Sequence, residues 1–519
     1  MKLEMGQMSL RSQFMYAILF GWLLALAPPS TMPKLPKVIG PIPVTADSQI
    51  LGAEDVPGGP PSANLPAHGY VEEEYFVSGT ANIYQYDSNW NRTLKQANVP
   101  YTTRMVIRRP TDRAKFSGTV QYECGHPQMG NTGNWNATKD YILRHGDIFV
   151  GVMCGADLIT RRTPATAPPT GAPFVLKWFD AKRYAPIDWP EDDGIRYDVI
   201  AQTGALLKSK DKSNPLAAYN VQRIYCAGWS FTGSLWRVYI NEGFHDEYRM
   251  PNGSPIFDGY LLGISSSTFS GGYDPLNNDQ NLPVGNPRRV TKSVDVPVIE
   301  QMSENEAITN FGPQAPESDD LKSRHRLYEV PGLTHGNGLG SGVNGMRFQL
   351  TQHGYPAGAA RGGVNAACRP TPSDVPMGDI AIASLSNMDA WARKNIPPPH
   401  GPRMKIDPAT KLGLKDTYGN TEGGLRTAQL DVPLARYGDN LDPACTVQRP
   451  QSPAGSGFIS VWRFSLSQEQ LAVLYKNKDD YLSKFKKRLD ELVKDHWLLQ
   501  PEADKQFEIA KVNAVAAFR

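Results

Sequence analysis

The sequence predicts an α/β fold: a mostly parallel central sheet with helices on both faces. Three observations carry that expectation. Short apolar runs ending at Cys124, Cys154 and Ala227 read as strands buried on both faces. Helical patterns lie between later runs, as a parallel sheet with crossover connections requires. Residues able to do chemistry, Ser230, the Ser303–Glu306 stretch and His335, follow directly on such runs. In open sheets of this class, sites collect at the carboxyl ends of the strands.

The chain opens on an apolar stretch, Phe14 to Ala27, behind a polar start with Lys2 and Arg11. Its length suits a signal-peptide core and falls short of the ~20 residues of a membrane span. Residues 1–27 are therefore expected to be a signal peptide, and the protein to be secreted or periplasmic. An uncleaved membrane anchor is the alternative. Residues 28–67 are rich in Pro, Gly and Ala and read as a linker or draped arm. A core is expected over 68–400, with insertions at 159–190 and 265–294, and a C-terminal extension over 401–519 packed on it.

Within the core, Tyr70–Gln85 and Tyr101–Arg108 alternate like antiparallel strands. Phe116–Cys124 and Ile148–Cys154 are apolar strands, followed by a Pro/Thr-rich segment and a helical pattern at Ile195, Val199, Ile200 and Leu206. Val221–Ala227, Ile256–Ile264, Val294–Met302 and Leu327–Val330 complete the strands, and Ile380–Lys394 reads as an amphipathic helix. Ser467 and Gln470 form a capping-box pattern that opens a C-terminal helix. A second, highly charged helix follows over Asp479–Val493, with Lys484, Lys486, Lys487 and Arg488 on its solvated face. The insertions carry Trp178, Phe179, Tyr184, Trp189, Phe269 and Tyr273 and are placed where substrate walls belong.

Basic and acidic residues nearly balance, 54 against 52, for a formal net charge of +2. Neither nucleic acid nor an anionic surface is implied as a partner. No metal cluster, phosphate-binding loop or dinucleotide fingerprint is present, so no cofactor and no metal are expected. Five cysteines leave one thiol over if the others pair. Cys226 lies inside a strand. Cys124 and Cys154 end strands expected to be neighbours, and either disulfides or reduced, buried thiols fit.

The stretch Tyr225-Cys226-Ala227-Gly228-Trp229-Ser230-Phe231-Thr232-Gly233 reads as strand, sharp turn, serine, helix. That is the setting of a nucleophile elbow, in which small neighbours permit a strained serine and a helix N-terminus faces it. Thr232 stands where a second glycine is usual, and Gly233 follows it. Downstream, one strand ends in Ser303-Glu304-Asn305-Glu306 and the next in Pro331-Gly332-Leu333-Thr334-His335. Serine, acid and histidine thus follow one another along the chain. A serine hydroxyl becomes a useful nucleophile when histidine removes its proton and an acid orients the imidazole. Ser230 and His335 are the candidates for the first two roles. Glu306, Glu304 and Asp274 are open for the third.

Several stretches resemble the alpha/beta hydrolase domain family of the alpha/beta-hydrolase superfamily, from about Gly69 to the C-terminus. They are Glu73–Ala81, Phe116–Val120, Phe179–Tyr184, Gly228-Trp229-Ser230, Val296-Pro297-Val298, Glu329–Gly332 with His335, and Gly423–Thr427 with Leu430–Pro433. The family elbow commonly reads Gly-Trp-Ser, two residues, then Gly, as here. The resemblance implies the alpha/beta-hydrolase fold with lid-like insertions and a C-terminal helical extension. It also places the acid at Glu306, with Glu304 in reserve. The expected activity is that of an exported serine hydrolase, a carboxylic ester hydrolase acting on a small-molecule ester through an acyl-enzyme. Amide or lactone hydrolysis by the same residues, or a non-catalytic binding protein of this fold, are the alternatives. The backbone N–H of Phe231, with one from the turn at Gly125 and His126, is expected to form the oxyanion hole, and Trp229 and Cys124 to line the substrate pocket. No stable membrane span is expected once the signal is removed.

Overall fold

The computed structural model describes residues 30–59, 62–125, 132–155, 176–265, 276–277, 280–283, 285–309, 314–333, 335, 343–354, 371–438 and 461–519. The apolar stretch Phe14–Ala27, and with it His126, Phe269, Tyr273, Asp274, Cys368 and Cys445, lies outside the described residues.

The main sheet is built of β1 (Lys37–Ile39), β2 (Tyr70–Tyr86), β3 (Arg92–Pro110), β4 (Thr119–Gly125), β5 (Ile148–Met153), β6 (Arg223–Trp229), β7 (Gly259–Gly263), β8 (Val298–Ser303) and β9 (His325–Val330). Their order is β1-β2-β3-β5-β4-β6-β7-β8-β9. β1, β2, β3 and β5 pair antiparallel, and from β5 to β9 every pair is parallel. The mixed character follows from the sequence. β2 and β3 are long, joined by a short turn and only partly buried, whereas β4 to β9 are short and buried along nearly their whole lengths.

The longer helices are α1 (Gly133–His145), α2 (Arg196–Lys208), α3 (Phe231–Asn241), α5 (Met377–Lys394), α6 (Lys478–Lys494) and α7 (Gln500–Ala517), with a short α4 (Glu304–Thr309) after β8. Alternate strand residues feed two cores, as a period of two requires. Val120, Tyr122 and Cys124 of β4 meet Tyr197 and Val199 of α2 and Leu235 and Trp236 of α3. Tyr225, Ala227 and Trp229 of β6 meet Trp135 and Ile142 of α1 and Ile380 and Leu385 of α5. Helix α1 has no clear signature in the sequence, because Asn, Thr, Lys and Asp interrupt its apolar residues. β4 starts at Thr119 instead of Phe116, after a short turn at Arg113–Lys115 and a positive φ of 92° at Gly118.

Part of the N-terminal arm joins the sheet, with β1 paired along β2 at its edge. Glu74 of β2, 0% exposed, lies between Arg104 of β3 and Arg183 of the first insertion, whose Nε is 2.6 Å from it. Arg183 also donates to the Pro43 carbonyl at 2.7 Å, and the Tyr184 hydroxyl donates to Glu74 at 3.0 Å. The conspicuous residues of the Phe179–Tyr184 stretch are therefore structural: they pin arm and insertion to β2.

The capping box at Ser467 and Gln470 is formed. Helices α6 and α7 bury Phe485, Leu489, Ala503, Ala510 and Ala514 between them. They dock on the core through Trp497 against Tyr328, ring centroids 4.9 Å apart, and through Arg144 to Glu502 at 3.0 Å. Among the described residues no helix is long and apolar enough to cross a membrane.

Two carboxylates, the buried Glu300 and the half-buried Asp379, make stability depend on pH in opposite directions. Glu300 of β8 lies 2.8 Å from Arg237 of α3 and 2.9 Å from His325 of β9. Burial alone would raise its pKa, but Arg237 and His325 outweigh burial and hold it at about 2. A carboxyl with a depressed folded pKa stabilises above the unfolded value and loses that stability as pH falls through the folded one. Urea-unfolding midpoints should therefore drop between about pH 4.5 and 2. Glu300→Gln should flatten that limb and cost about 3 kcal/mol at neutral pH by leaving Arg237 without its countercharge.

Asp379 of α5 behaves the other way. Burial, with Glu502 and Asp140 nearby, pushes it up to about 6, although Gln506 donates to it at 2.8 Å. Its contribution is fully present below the unfolded carboxyl range and is lost as pH rises through about 6. Asp379→Asn keeps an acceptor for Gln506. It should raise the thermal midpoint above pH 6 by the equivalent of about 1 kcal/mol, with no gain below about pH 4.

Candidate active site

The nucleophile candidate is placed by backbone geometry. β6 ends at Trp229, and α3 begins at Phe231, directly after Ser230. Ser230, between them, has φ 59° and ψ −121°, a strained conformation for a residue with a side chain. Close approach explains the glycines. A Cβ on Gly228 would lie 2.4 Å from the Thr232 carbonyl oxygen, and one on Gly233 would lie 2.7 Å from the Gly263 oxygen of β7. Ser230 N–H donates to that same Gly263 oxygen at 2.9 Å. Thr232 has a reason of its own. Its Oγ1 accepts from the Trp229 N–H at 2.8 Å and donates to the Trp229 carbonyl at 3.0 Å, so the side chain laces the turn from inside. The glycine falls one place later because that is the residue facing β7.

His335 stands beyond β9. Its Nε2 is 2.6 Å from Ser230 Oγ and its Nδ1 is 2.7 Å from Glu306 Oε1. The three side chains therefore form one hydrogen-bonded line, reached from three elements of the sheet. The imidazole is 23% exposed and the Glu306 side chain 3%, so the line runs from an accessible serine into a buried carboxylate.

Glu306 lies in α4, within a turn of the end of β8. Its Oε2 accepts from the Ser303 hydroxyl and, at 3.3 Å, from the Ser303 N–H. Its Oε1 accepts from Asn305 Nδ2 at 2.8 Å. Burial would raise the Glu306 pKa, but His335, Ser303 and Asn305 together keep it below the ordinary carboxylate value. Sequence reasoning does not single out Ser303 and Asn305 as supports. The signal is present in Ser303-x-x-Glu306, an i, i+3 pair at the start of a helix.

Glu304 points elsewhere. Its Oε2 accepts the Gly332 N–H at 2.8 Å. Its Oε1 accepts from Thr421 Oγ1 at 2.7 Å and Lys415 Nζ at 2.9 Å. Among the described acids it is Glu306 that reaches His335.

The oxyanion-hole candidates are partly in view. Phe231 is the first residue of α3, so the positive end of the helix faces Ser230. Its ring has the Arg196 guanidinium 5.6 Å from the centroid. Gly125 ends β4, where a Cβ would lie 2.6 Å from Met153 Sδ. His126 lies outside the described residues. Beside Gly125, Glu123 accepts the N–H groups of Asn134 at 2.9 Å and Trp135 at 3.2 Å. It thereby ties the start of α1 to the end of β4.

The pocket assignments need correction. Cys124 is 0% exposed and belongs to one core, and Trp229 is 2% exposed and belongs to the other. Strand alternation turns both side chains into the packed layers, where they back the site instead of facing substrate. Phe179, Tyr184 and Trp189 of the first insertion are likewise packed into the core. Cys124, Cys154 and Cys226 are free thiols, with Cys124 Sγ 3.4 Å from Cys154 Sγ. Among the described residues no group of three or more His, Cys, Asp or Glu side chains is arranged to hold a metal.

No curated protein sequence matches this chain. A solved structure of the esterase Est22 is 14% identical, with 46% of this chain and 64% of that one aligned and a TM-score of 0.24. A thermostable esterase from Pseudomonas putida ECU1011 is 12% identical, with 56% and 83% aligned and a TM-score of 0.28. The chain thus spans about two thirds of Est22 in the first of these, 64%. The sequence profile described as alpha/beta hydrolase domain matches residues 38–508. That range takes in the main sheet but for Lys37 of β1, the Ser230–His335–Glu306 line and most of the C-terminal helices, and the chain belongs to the alpha/beta hydrolase domain family.

Proposed function

We propose that this protein is a serine hydrolase acting on carboxylic esters, with Ser230 as nucleophile, His335 as general base and acid, and Glu306 as the carboxylate that orients His335. The observation that carries the reading is the continuous line from Ser230 Oγ through both imidazole nitrogens to Glu306, on a serine whose backbone is strained in the manner of a nucleophile elbow.

His335 Nε2 takes the hydroxyl proton as Ser230 Oγ attacks the ester carbonyl. The negative charge that forms on the carbonyl oxygen is met by the Phe231 N–H at the start of α3 and by a second N–H from the turn after Cys124, at Gly125 or His126. Collapse of the tetrahedral intermediate passes the proton from His335 to the departing alcohol and leaves an acyl-Ser230. Water then enters along the same path, His335 removes its proton, and the acid is released. Glu306 stays ionised throughout and stabilises the imidazolium, a role that suits a buried carboxylate also held by donors from Ser303 and Asn305. The apolar Phe14–Ala27 stretch supports export of the enzyme to a secreted or periplasmic location.

Fluorophosphonate labelling tests the nucleophile. Wild-type protein should be labelled at Ser230, and Ser230→Ala should lose both labelling and p-nitrophenyl ester hydrolysis by at least about 10³-fold with an unchanged circular dichroism spectrum. Labelling that persists in Ser230→Ala would overturn the assignment.

Substitution at the acid tests the rest of the line. Glu306→Gln is close in shape but loses the charge that favours imidazolium, so kcat should fall by about 10³–10⁴-fold with KM little changed. A residual activity near that of wild type would exclude Glu306.

A further inference from the structure

Two carboxylates leave the end of β8 two residues apart, and only one reaches His335. The other, Glu304, is 2% exposed. A carboxylate is tolerated at such depth when its lone pairs are taken up and its charge is answered. Lys415 answers the charge at 2.9 Å, and the Thr421 hydroxyl and the Gly332 N–H take up further lone pairs at 2.7 and 2.8 Å.

What these partners connect is the informative part. Gly332 lies in the turn that leaves β9, three residues before His335. The turn has a positive φ of 81° at Gly332, where a Cβ would also lie 3.1 Å from Leu430 and 3.2 Å from Val375. Its N–H is held by Glu304 and its carbonyl accepts from the Ser373 hydroxyl at 2.5 Å. The peptide groups on both sides of Gly332 are thus fixed.

Lys415 and Thr421 come from the C-terminal region and pair with each other across a bridge. The same segment clamps the end of β9. Leu425 N–H donates to the Glu329 carbonyl at 2.7 Å, Met404 N–H to the Glu329 side chain at 2.7 Å, and Arg403 pairs with that side chain at 2.7 Å.

We infer that Glu304 is a positioning residue for His335, and that through Lys415 and Thr421 the C-terminal segment 403–425 helps to set the imidazole against Ser230. The inference rests on the reading of Ser230, His335 and Glu306 as the reacting line. The two acids hold His335 at different levels. Glu306 holds the imidazole ring, and Glu304 holds the backbone from which the ring is hung. Displacement of a catalytic group by about 1 Å costs on the order of 10² in rate, so a loosened Gly332 turn shows first in kcat. Substrate binding and folding respond less.

The experiment compares Glu304→Ala, Glu304→Gln and the double variant Lys415→Met with Thr421→Val. Each is measured for kcat and KM on a p-nitrophenyl ester, for the fluorophosphonate labelling rate, for thermal midpoint, and for the low-field proton resonance of the His335 Nδ1–H bound to Glu306. Expected is a fall in kcat and labelling rate of about 100-fold in Glu304→Ala and about tenfold in the double variant, with KM within about twofold. The low-field resonance should shift or broaden in both. Glu304→Gln should recover part of the loss, because its amide oxygen still accepts the Gly332 N–H. Unchanged kcat in folded Glu304→Ala overturns the inference. So does a loss of kcat that only tracks the thermal midpoint and disappears on cooling. Should wild-type protein fail to label at Ser230, the hydrolase reading falls by itself. The resonance then decides on positioning alone, and an unshifted signal in Glu304→Ala overturns it.

Discussion

The close approach of α3 to β6 and β7 is the constraint that fixes the site. A helix can start so soon after a strand only if nothing stands between the two, and here Gly228 and Gly233 remove what would stand there. Ser230 is left with a positive φ and with its N–H committed to Gly263 of the next strand. The strain is held because the surroundings overdetermine it: Trp236, Val238 and Tyr239 of α3 are buried in the core under the sheet. A serine so placed projects from the carboxyl edge of a rigid element, and the helix dipole points at the oxygen attached to it.

Neighbouring strand ends are kept in step with that point. β8 and β9 run parallel, with Ser303 opposite Val330, so the segments that follow them emerge side by side next to the elbow. Buried charge reinforces the alignment. Arg237, on the helix that follows Ser230, pairs with Glu300 on β8, which pairs with His325 on β9. An ion pair from Arg237 to Glu300 and a polar contact from Glu300 to His325 thus join the three elements that precede Glu306 and His335 or follow Ser230. Such contacts contribute less net stability than specificity, since slippage by one residue would strand a charge in the core.

The C-terminal region extends the same logic outside the sheet. Glu329 at the end of β9 and Glu304 at the start of α4 are both buried acids with partners from residues 403–425, and Glu304 also accepts from Gly332. The helices α6 and α7 are farther out and hold to the core through Trp497 and Glu502. The extension is therefore graded: its first part grips the edge of the site, and its last part grips the outside of the fold.

The class of fold, the strands from β4 to β9, the elbow and the order of serine, acid and histidine are all legible in the amino-acid sequence. They are written in local patterns: buried strands are short apolar runs, a strand-to-helix turn demands glycine, and strand ends mark where side chains can meet. Helix α1 is not legible, because its apolar spacing is broken by polar residues that are buried or bonded only in the folded chain. The inward turn of Cys124 and Trp229 is not legible either. Nor do the residues alone separate Glu304 from Glu306. Two residues apart on a helix point about 200° apart, and which direction holds His335 depends on where β9 and residues 415–421 lie, tens to more than a hundred positions away. Packing between distant segments makes that choice, because a buried carboxylate takes whatever donors the neighbouring chain brings to it.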